Sequence, residues 1–376
     1  MANSFRNTLG RLTALPLVLA LSLAPAAACT SFLLKSADGS PVYGRTLEFG
    51  FPLESEAIVI PRHYAARATG PEGKPGWGWK SRYAIAGLNA FGLPVVVDGL
   101  NEKGLAGGIL YFPGVAGYAR SDSSHPDSAD TDSADQRHAL APWDFLTWAL
   151  GNFASVAEVR AALDTIAIVD LVQPTLGIVP PFHYTLHDAS GASLVIEPIG
   201  GRLKVYDNPL GVMTNAPSFD WHLTNLRNYV KLSPVDAAPL KIAGESFAPL
   251  GAGSGLLGVP GDPTPPSRFV RAVGLTLSAE PQKTAAETVR LAEHILNNFD
   301  IPMGLVRVSP QETSRFEYTQ WSSIADLSGR VYYVKSYDNQ ALRSIDLTKL
   351  ELEGRSVRAA PLRPSSRAAP VEFPKH

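Results

Sequence analysis

One cysteine, Cys29, occurs in this 376-residue chain. It follows Ala26-Ala27-Ala28, a run of small residues of the kind at which an exported leader is cut. Cleavage after Ala28 would make Cys29 the first residue of a mature chain, with a thiol and a free α-amine on one residue. Thiolate is the reactive form of cysteine. An α-amine, with an ordinary pKa of about 7.7–8.0, can take the thiol proton near neutrality. The pair is a nucleophile carrying its own base, suited to attack on a carbonyl carbon. A lone cysteine cannot form an internal disulfide, so in an exported chain it points to a chemical role. Two other readings stand beside this one. A lipid-bearing cysteine wants a leucine-like residue three positions earlier, where Ala26 stands, and acylation would remove the base. An incidental buried thiol is the other, since cysteine is among the most buried residue types.

Further candidates are scattered along the chain. Arg45 lies in an apolar stretch, where a buried guanidinium needs a partner, and Glu48 is a candidate for it. Asn215 stands between an apolar strand and a helix. Its amide can donate to a developing oxyanion or simply cap a turn. Arg268 opens a helical stretch. Phe49, Phe51, Trp77 and Trp79 are candidate walls of an apolar acyl pocket, and the tryptophans read equally well as core. His183 and His187 form H-x-x-x-H in a strand rather than a helix, with no glutamate beside the first histidine, so a metal site is not expected. Gly251 to Gly255 resembles a glycine loop but lacks the Gly-Lys-Ser/Thr ending of a phosphate cradle.

The elements that must position these residues follow from periodicity and turn signals. Residues 1–28 read as a leader: Arg6 and Arg11, an apolar run from Leu12 to Leu23, then Pro25 and the alanines. That run is shorter than the ~20 residues a bilayer span needs, so a soluble periplasmic or secreted protein without a stable membrane anchor is expected. Hydrophobic content of 45% with 18% charged residues fits a globular chain, and a net charge of −2 argues against nucleic acid as a partner. Strands are expected at 30–35, 41–46, 57–61, 84–89, 93–100 and 104–111. Helices are expected at 142–150 and 155–166, the second opened by a Ser155/Glu158 capping box. A hairpin over 182–198 turns at Asp188-Ala-Ser-Gly191. Helices at 219–230, 267–277 and 284–299 and strands at 316–322, 330–336 and 342–346 complete the chain. Blocks of strand and helix are segregated, which favours α+β over a doubly wound sheet. Residues 121–135, acidic and without large apolar side chains, are expected as a mobile loop. One large domain is expected over 29–352, and residues 353–376 read as a tail or arm.

Ordered blocks over nearly the whole mature chain resemble the choloylglycine hydrolase family, the conjugated bile acid hydrolases and penicillin V acylases of the N-terminal nucleophile superfamily. They are Cys29-Thr-Ser-Phe, Tyr43-Gly-Arg-Thr-Leu-Glu48, Asn101-Glu-Lys-Gly-Leu105, Phe112-Pro-Gly114, Gly211-Val-Met-Thr-Asn-Ala-Pro217, Gly258-Val-Pro-Gly-Asp262 with Ser267-Arg-Phe-Val-Arg271, and Tyr337-Asp-Asn339. The resemblance implies a four-layer αββα sandwich, a small-molecule amide substrate, no cofactor or metal, and a homotetramer. By position it makes Cys29 the nucleophile, Arg45 and Arg268 the residues that hold and polarise it, and Asn215 an oxyanion donor. Glu48 falls where the family has an aspartate binding the terminal amine. Tyr111 falls at the second oxyanion position, where bile salt hydrolases typically have asparagine and penicillin V acylases often tyrosine. That tilts the expected substrate toward penicillin V-like acyl amides. Conjugated bile salts and N-acyl homoserine lactones are the alternatives on the same fold, and a periplasmic binding protein lipidated at Cys29 is a remote one.

Overall fold

The computed structural model describes residues 28–121, 137–307 and 316–362. Of the expected leader only Ala28 falls among them. Residues 122–135 of the expected loop and residues 363–376 of the expected tail lie outside them.

The first half of the chain holds β1 (Cys29–Lys35), β2 (Pro41–Phe49), β3 (Glu56–Ile60), β4 (Ala65–Thr69), β5 (Pro75–Lys80), β6 (Ile85–Leu88), β7 (Asp98–Asn101), β8 (Ala106–Tyr111) and β9 (His138–Leu140), then helices α1 (Phe145–Asn152) and α2 (Val156–Ala162). After β10 (Ile166–Ile168) come β11 (Phe182–His187), β12 (Ser193–Ile199), β13 (Arg202–Asp207), α3 (Phe219–Leu226), β14 (Leu240–Ile242) and β15 (Glu245–Phe247). The chain closes with α4 (Pro265–Ser278), α5 (Ala285–Leu296), β16 (Val306–Arg307), β17 (Phe316–Asp326), β18 (Val331–Ser336), β19 (Asn339–Asp346) and β20 (Arg358–Pro361).

Two large antiparallel sheets result. One runs β1-β2-β17-β18-β19, with β16 added to β17; the other runs β13-β12-β11-β8-β7-β6-β3-β20. Phe32 and Tyr43 of the first sheet meet Leu100, Leu110 and Val195 of the second in a shared core. Helices α4 and α5 cover the outer face of the first sheet through Phe269, Val273, Ala292 and Ile295. Helices α1 and α2 cover the second through Phe145, Leu146 and Val159, packed on Ile58, Ile85 and Leu186. This is the four-layer αββα sandwich. Burial of such side chains, worth about 1.5–3 kcal/mol each, leaves β2 enclosed on both faces along its whole length. Any polar group on β2 must therefore find a partner inside the protein.

Several elements differ from expectation. The strand expected over 93–100 is reduced to β7. Phe91 and Gly92 take left-handed backbone and Pro94 cannot donate to a ladder, so the chain bends before pairing. The helix expected to Ile166 ends at Ala162, because the β-branched run at 166–169 pairs instead with β9. Ser155 accepts from the Glu158 amide, but the Glu158 carboxylate turns to the Ala154 amide, so only half of the capping box forms. Both halves form at Thr284 and Glu287, at the start of α5. The β4–β5 hairpin was hidden by its glycines and proline. Residues 358–361, within the expected arm, form the edge strand beside β3. No helix among the described residues is long and apolar enough to cross a membrane.

Thr284→Ala removes the reciprocal cap of α5. A loss of about 1 kcal/mol, read as a melting temperature lower by ~2–4 °C with activity unchanged, is the expected outcome in thermal denaturation.

Candidate active site

Cys29 opens β1, opposite Leu47 of β2, and is 3% exposed. Its thiol shares the inner face of the sheet with Arg45, whose Nη2 lies 3.6 Å from Sγ. Arg45 is fully buried and clamped from the opposite sheet. Its Nη1 donates to the Val97 carbonyl at 2.7 Å and to Asp98 Oδ2 at 3.3 Å, and its Nη2 to the Ile109 carbonyl. The guanidinium also lies 5.3 Å from the Trp321 ring centre. Burial alone would lower its pKa, but the charges of Cys29 and Asp98 outweigh this and raise it.

Asp98 is the hub that the sequence reading missed. Its Oδ2 also accepts from Tyr43 at 2.8 Å, and its Oδ1 accepts from Ser323 at 2.7 Å and Tyr332 at 2.6 Å. The expected Arg45–Glu48 pairing does not form. Positions three apart on a strand face opposite ways, so Arg45 meets Asp98 across the sandwich while Glu48 points to the helical layer. The usable signal was an aspartate inside the apolar run Val95-Val-Val-Asp98. Gly108 makes the clamp possible: a Cβ there would stand 2.6 Å from Arg45 Nη1 and 2.9 Å from Asp98 Oδ2.

Asn215 is brought to Cys29 from far along the chain. Its Oδ1 accepts from the Cys29 backbone N at 2.8 Å and from Arg268 Nη2 at 2.6 Å. Its Nδ2 donates to the Tyr111 carbonyl at 2.8 Å, which leaves one amide hydrogen for an oxyanion. Arg268, on the first turn of α4, makes no hydrogen bond to the sulfur, though its charge interacts with Cys29. It donates to the backbone carbonyls of Cys29 and Pro263 and to the side-chain hydroxyl of Thr30. Two buried histidines hold the Asn215 segment from behind. His222 Nε2 lies 2.8 Å from the Asn215 carbonyl and His183 Nε2 lies 3.0 Å from that of Thr214, with His183 stacked on Phe112. Burial lowers His222 to about 4, which keeps it a neutral donor. His187 instead contacts Thr185 on its own strand. No cluster of three or more potential metal ligands occurs among the described residues.

Glu48 is buried with Oε1 accepting from Thr319 at 2.8 Å and Oε2 without a partner. Its backbone N–H donates to the Ala28 carbonyl at 2.9 Å. Burial pushes its pKa up to about 7 despite the opposing charge of Arg268. The cavity over Sγ, about 60 Å³, is lined by Phe49, Leu53, Phe91, Val97, Tyr111 and Phe182 among others. Tyr111 has an unpartnered hydroxyl, pushed up to about 12 by burial. Phe51 stands behind this wall, against Phe49 and Phe91. Trp77 and Trp79 do not reach it. They lie on β5 against the other core, where Trp77 stacks on His138, and are not pocket walls. The glycine run at 251–255 forms an exposed turn tied to Asp236.

Asp98→Asn strands a buried guanidinium, with an expected cost of about 3–5 kcal/mol and loss of turnover. Gly108→Ala, which keeps both charges, is expected to lower turnover with a smaller loss of stability; thermal melts and kinetics check both. Glu48 gives a pH signature in a chain that retains Ala28. Its folded pKa of about 7 exceeds the ordinary 4.5, so between these values the folded chain holds a proton that the unfolded chain releases. Stability contributed by this group is therefore full below about pH 4.5 and lost as pH rises through about 7. Glu48→Gln should flatten that decline in melting temperature.

A family model described as linear amide C–N hydrolases, choloylglycine hydrolase family, matches residues 29–359. A bile salt hydrolase/transferase of Clostridium perfringens is 33% identical over 336 residues, covering 88% of this chain and 95% of the relative. A penicillin V acylase of Pectobacterium atrosepticum is 26% identical over 365 residues, covering 92% of this chain and 87% of its own. A solved variant of the conjugated bile acid hydrolase of Clostridium perfringens superposes with a TM-score of 0.78 at 31% identity, over 91% of this chain and 99% of that one. The penicillin V acylase of Agrobacterium tumefaciens shares the fold, with a TM-score of 0.69 at 22% identity, over 89% of this chain and 92% of that one. With the architecture and the match along the chain in agreement, this protein belongs to the choloylglycine hydrolase family and is a hydrolase of linear, non-peptide amide bonds.

Proposed function

We propose that the mature enzyme begins at Cys29 and uses its thiol as the nucleophile on an amide with an apolar acyl group, in the manner of a penicillin V acylase. The observation that carries this is the convergence of Arg45 on Sγ and of Asn215 on the Cys29 nitrogen. Released from Ala28, the α-amine takes the thiol proton and the sulfur attacks the amide carbonyl. Asn215 Nδ2 and a donor around Tyr111 hold the oxyanion. The amine product leaves with the proton, and water hydrolyses the thioester. Ala28 and Cys29 are 5% and 3% exposed, so a peptidase must cut before β1 docks in the sheet. That timing fits cleavage during export to the periplasm or medium.

The acyl specificity follows from the pocket. A 60 Å³ cavity walled by Phe49, Phe91, Tyr111 and Phe182 is far below the ~300–1,000 Å³ of ligand pockets in general. A flat aryloxyacetyl group needs less opening than a rigid steroid. Bile salt hydrolysis is the second reading, favoured by the 33% identity to the Clostridium perfringens enzyme. A homotetramer would cover Leu240, Ile242 and Phe247, exposed on the β14–β15 hairpin.

Edman sequencing of exported protein should start at Cys29, and Cys29→Ala should fold without turnover. Retained activity in that variant would remove the nucleophile assignment. Among penicillin V, a conjugated bile salt and an N-acyl homoserine lactone, penicillin V should show the highest kcat/KM; a bile salt ranking first would establish the second reading.

A further inference from the structure

Glu317 carries no motif signal, yet it acts on the backbone of Ala28, the residue whose removal frees the amine that the proposed mechanism uses. Thr319 of β17 stands opposite Glu48 of β2 and donates to its carboxylate. Glu317, two residues earlier on the same strand, shares that face. It is 4% exposed, and its Oε1 has no partner, like Oε2 of the fully buried Glu48. Ala28 lies between the two. Its carbonyl accepts from the Glu48 N–H at 2.9 Å, and its own backbone amide favours the charged form of the Glu317 carboxyl.

Counting charges shows what is missing from this face. Arg45 is matched by Asp98 on the inner side of the sheet. On the helical side the guanidinium of Arg268 acts on both Glu48 and Glu317, leaving two carboxylates for one cation. A buried excess charge is costly, and burial holds both carboxyls above their ordinary range. Loss of Ala28 removes the amide that acts on Glu317 and creates a cation at Cys29. Asn215 Oδ1 already accepts one N–H of that nitrogen. The ammonium formed when the amine takes the thiol proton has three, so two acceptors remain to be found.

We propose that Glu317 is a positioning residue, which together with Glu48 accepts the remaining N–H groups of the Cys29 α-ammonium and so stabilises the thiolate–ammonium state. The proposal rests on the reading that Cys29 begins the mature enzyme. Two carboxylates on one amine favour its charged form, so removing one lowers the pKa of the amine.

The test uses mature wild-type enzyme, Glu317→Gln and Glu317→Asp, with N-terminal sequencing of each and pH profiles of kcat/KM. For Glu317→Gln, kcat should fall about tenfold with KM little changed, and the acidic limb should move down by about 0.5–1 pH unit. Glu317→Asp should restore the limb. A wild-type chain not starting at Cys29 overturns the nucleophile reading itself. A correct start with an unmoved limb in Glu317→Gln overturns only the role of Glu317. Should Glu317→Gln fail to fold, a crystal structure of the mature wild type decides. A Glu317 oxygen within about 3.2 Å of the Cys29 nitrogen supports the role, and a separation beyond about 5 Å without a bridging water overturns it.

Discussion

A guanidinium enclosed between two sheets is the constraint around which this molecule is organised. Arg45 has no water to face, so every side of it must be met by protein. Two carbonyls and Asp98 come from the opposite sheet, Trp321 from the neighbouring strand, and the thiol of Cys29 from the strand before. Asp98 in turn is saturated by Tyr43, Ser323 and Tyr332. The pair ties the two sheets together at the point where the thiol emerges, and so couples the stability of the sandwich to the geometry of the candidate site.

The first sheet separates two electrostatic environments. Its inner face carries Arg45 and Asp98 next to the sulfur. Its outer face carries Glu48 and Glu317 near Ala28, both under the charge of Arg268 from α4. Strand alternation is what divides them. Cys29 begins β1 at the sheet margin, where its thiol meets Arg45 and its backbone nitrogen meets Asn215. Asn215 bridges the two, holding the nitrogen and reaching Tyr111. His183 and His222 hold its backbone, which fixes an amide that would otherwise sit on a free connection between β13 and α3.

Much of the element order was legible because periodicity and turn chemistry are local. The Asp188–Gly191 hairpin, α4, α5 and the closing strands stand close to where the sequence placed them. Misplaced ends came from competition that a window cannot see: a β-branched run finding β9, and a carboxylate choosing Ala154 over Ser155. Trp77 and Trp79 illustrate the same limit. Their size marks them as buried or binding, but which of the two depends on the β4–β5 hairpin lying over the second core rather than at the cavity.

Sequence alone was enough to name Cys29, Arg45, Glu48, Asn215 and Arg268 as a set, since ordered motifs survive in a linear string. It was also enough to predict segregated strands and helices around a large core. Which charge meets which was decided only by the tertiary structure. Asp98 replaces Glu48 as the partner of Arg45, and Arg268 hydrogen-bonds the Cys29 carbonyl, Thr30 and Asn215 rather than the sulfur. Glu317 enters beside Ala28 from a strand nearly the length of the chain away. The reason is physical: in a buried site the free energy of a charge depends on its neighbours across the sheet and across the layers, and those neighbours are set by register and packing rather than by spacing along the chain.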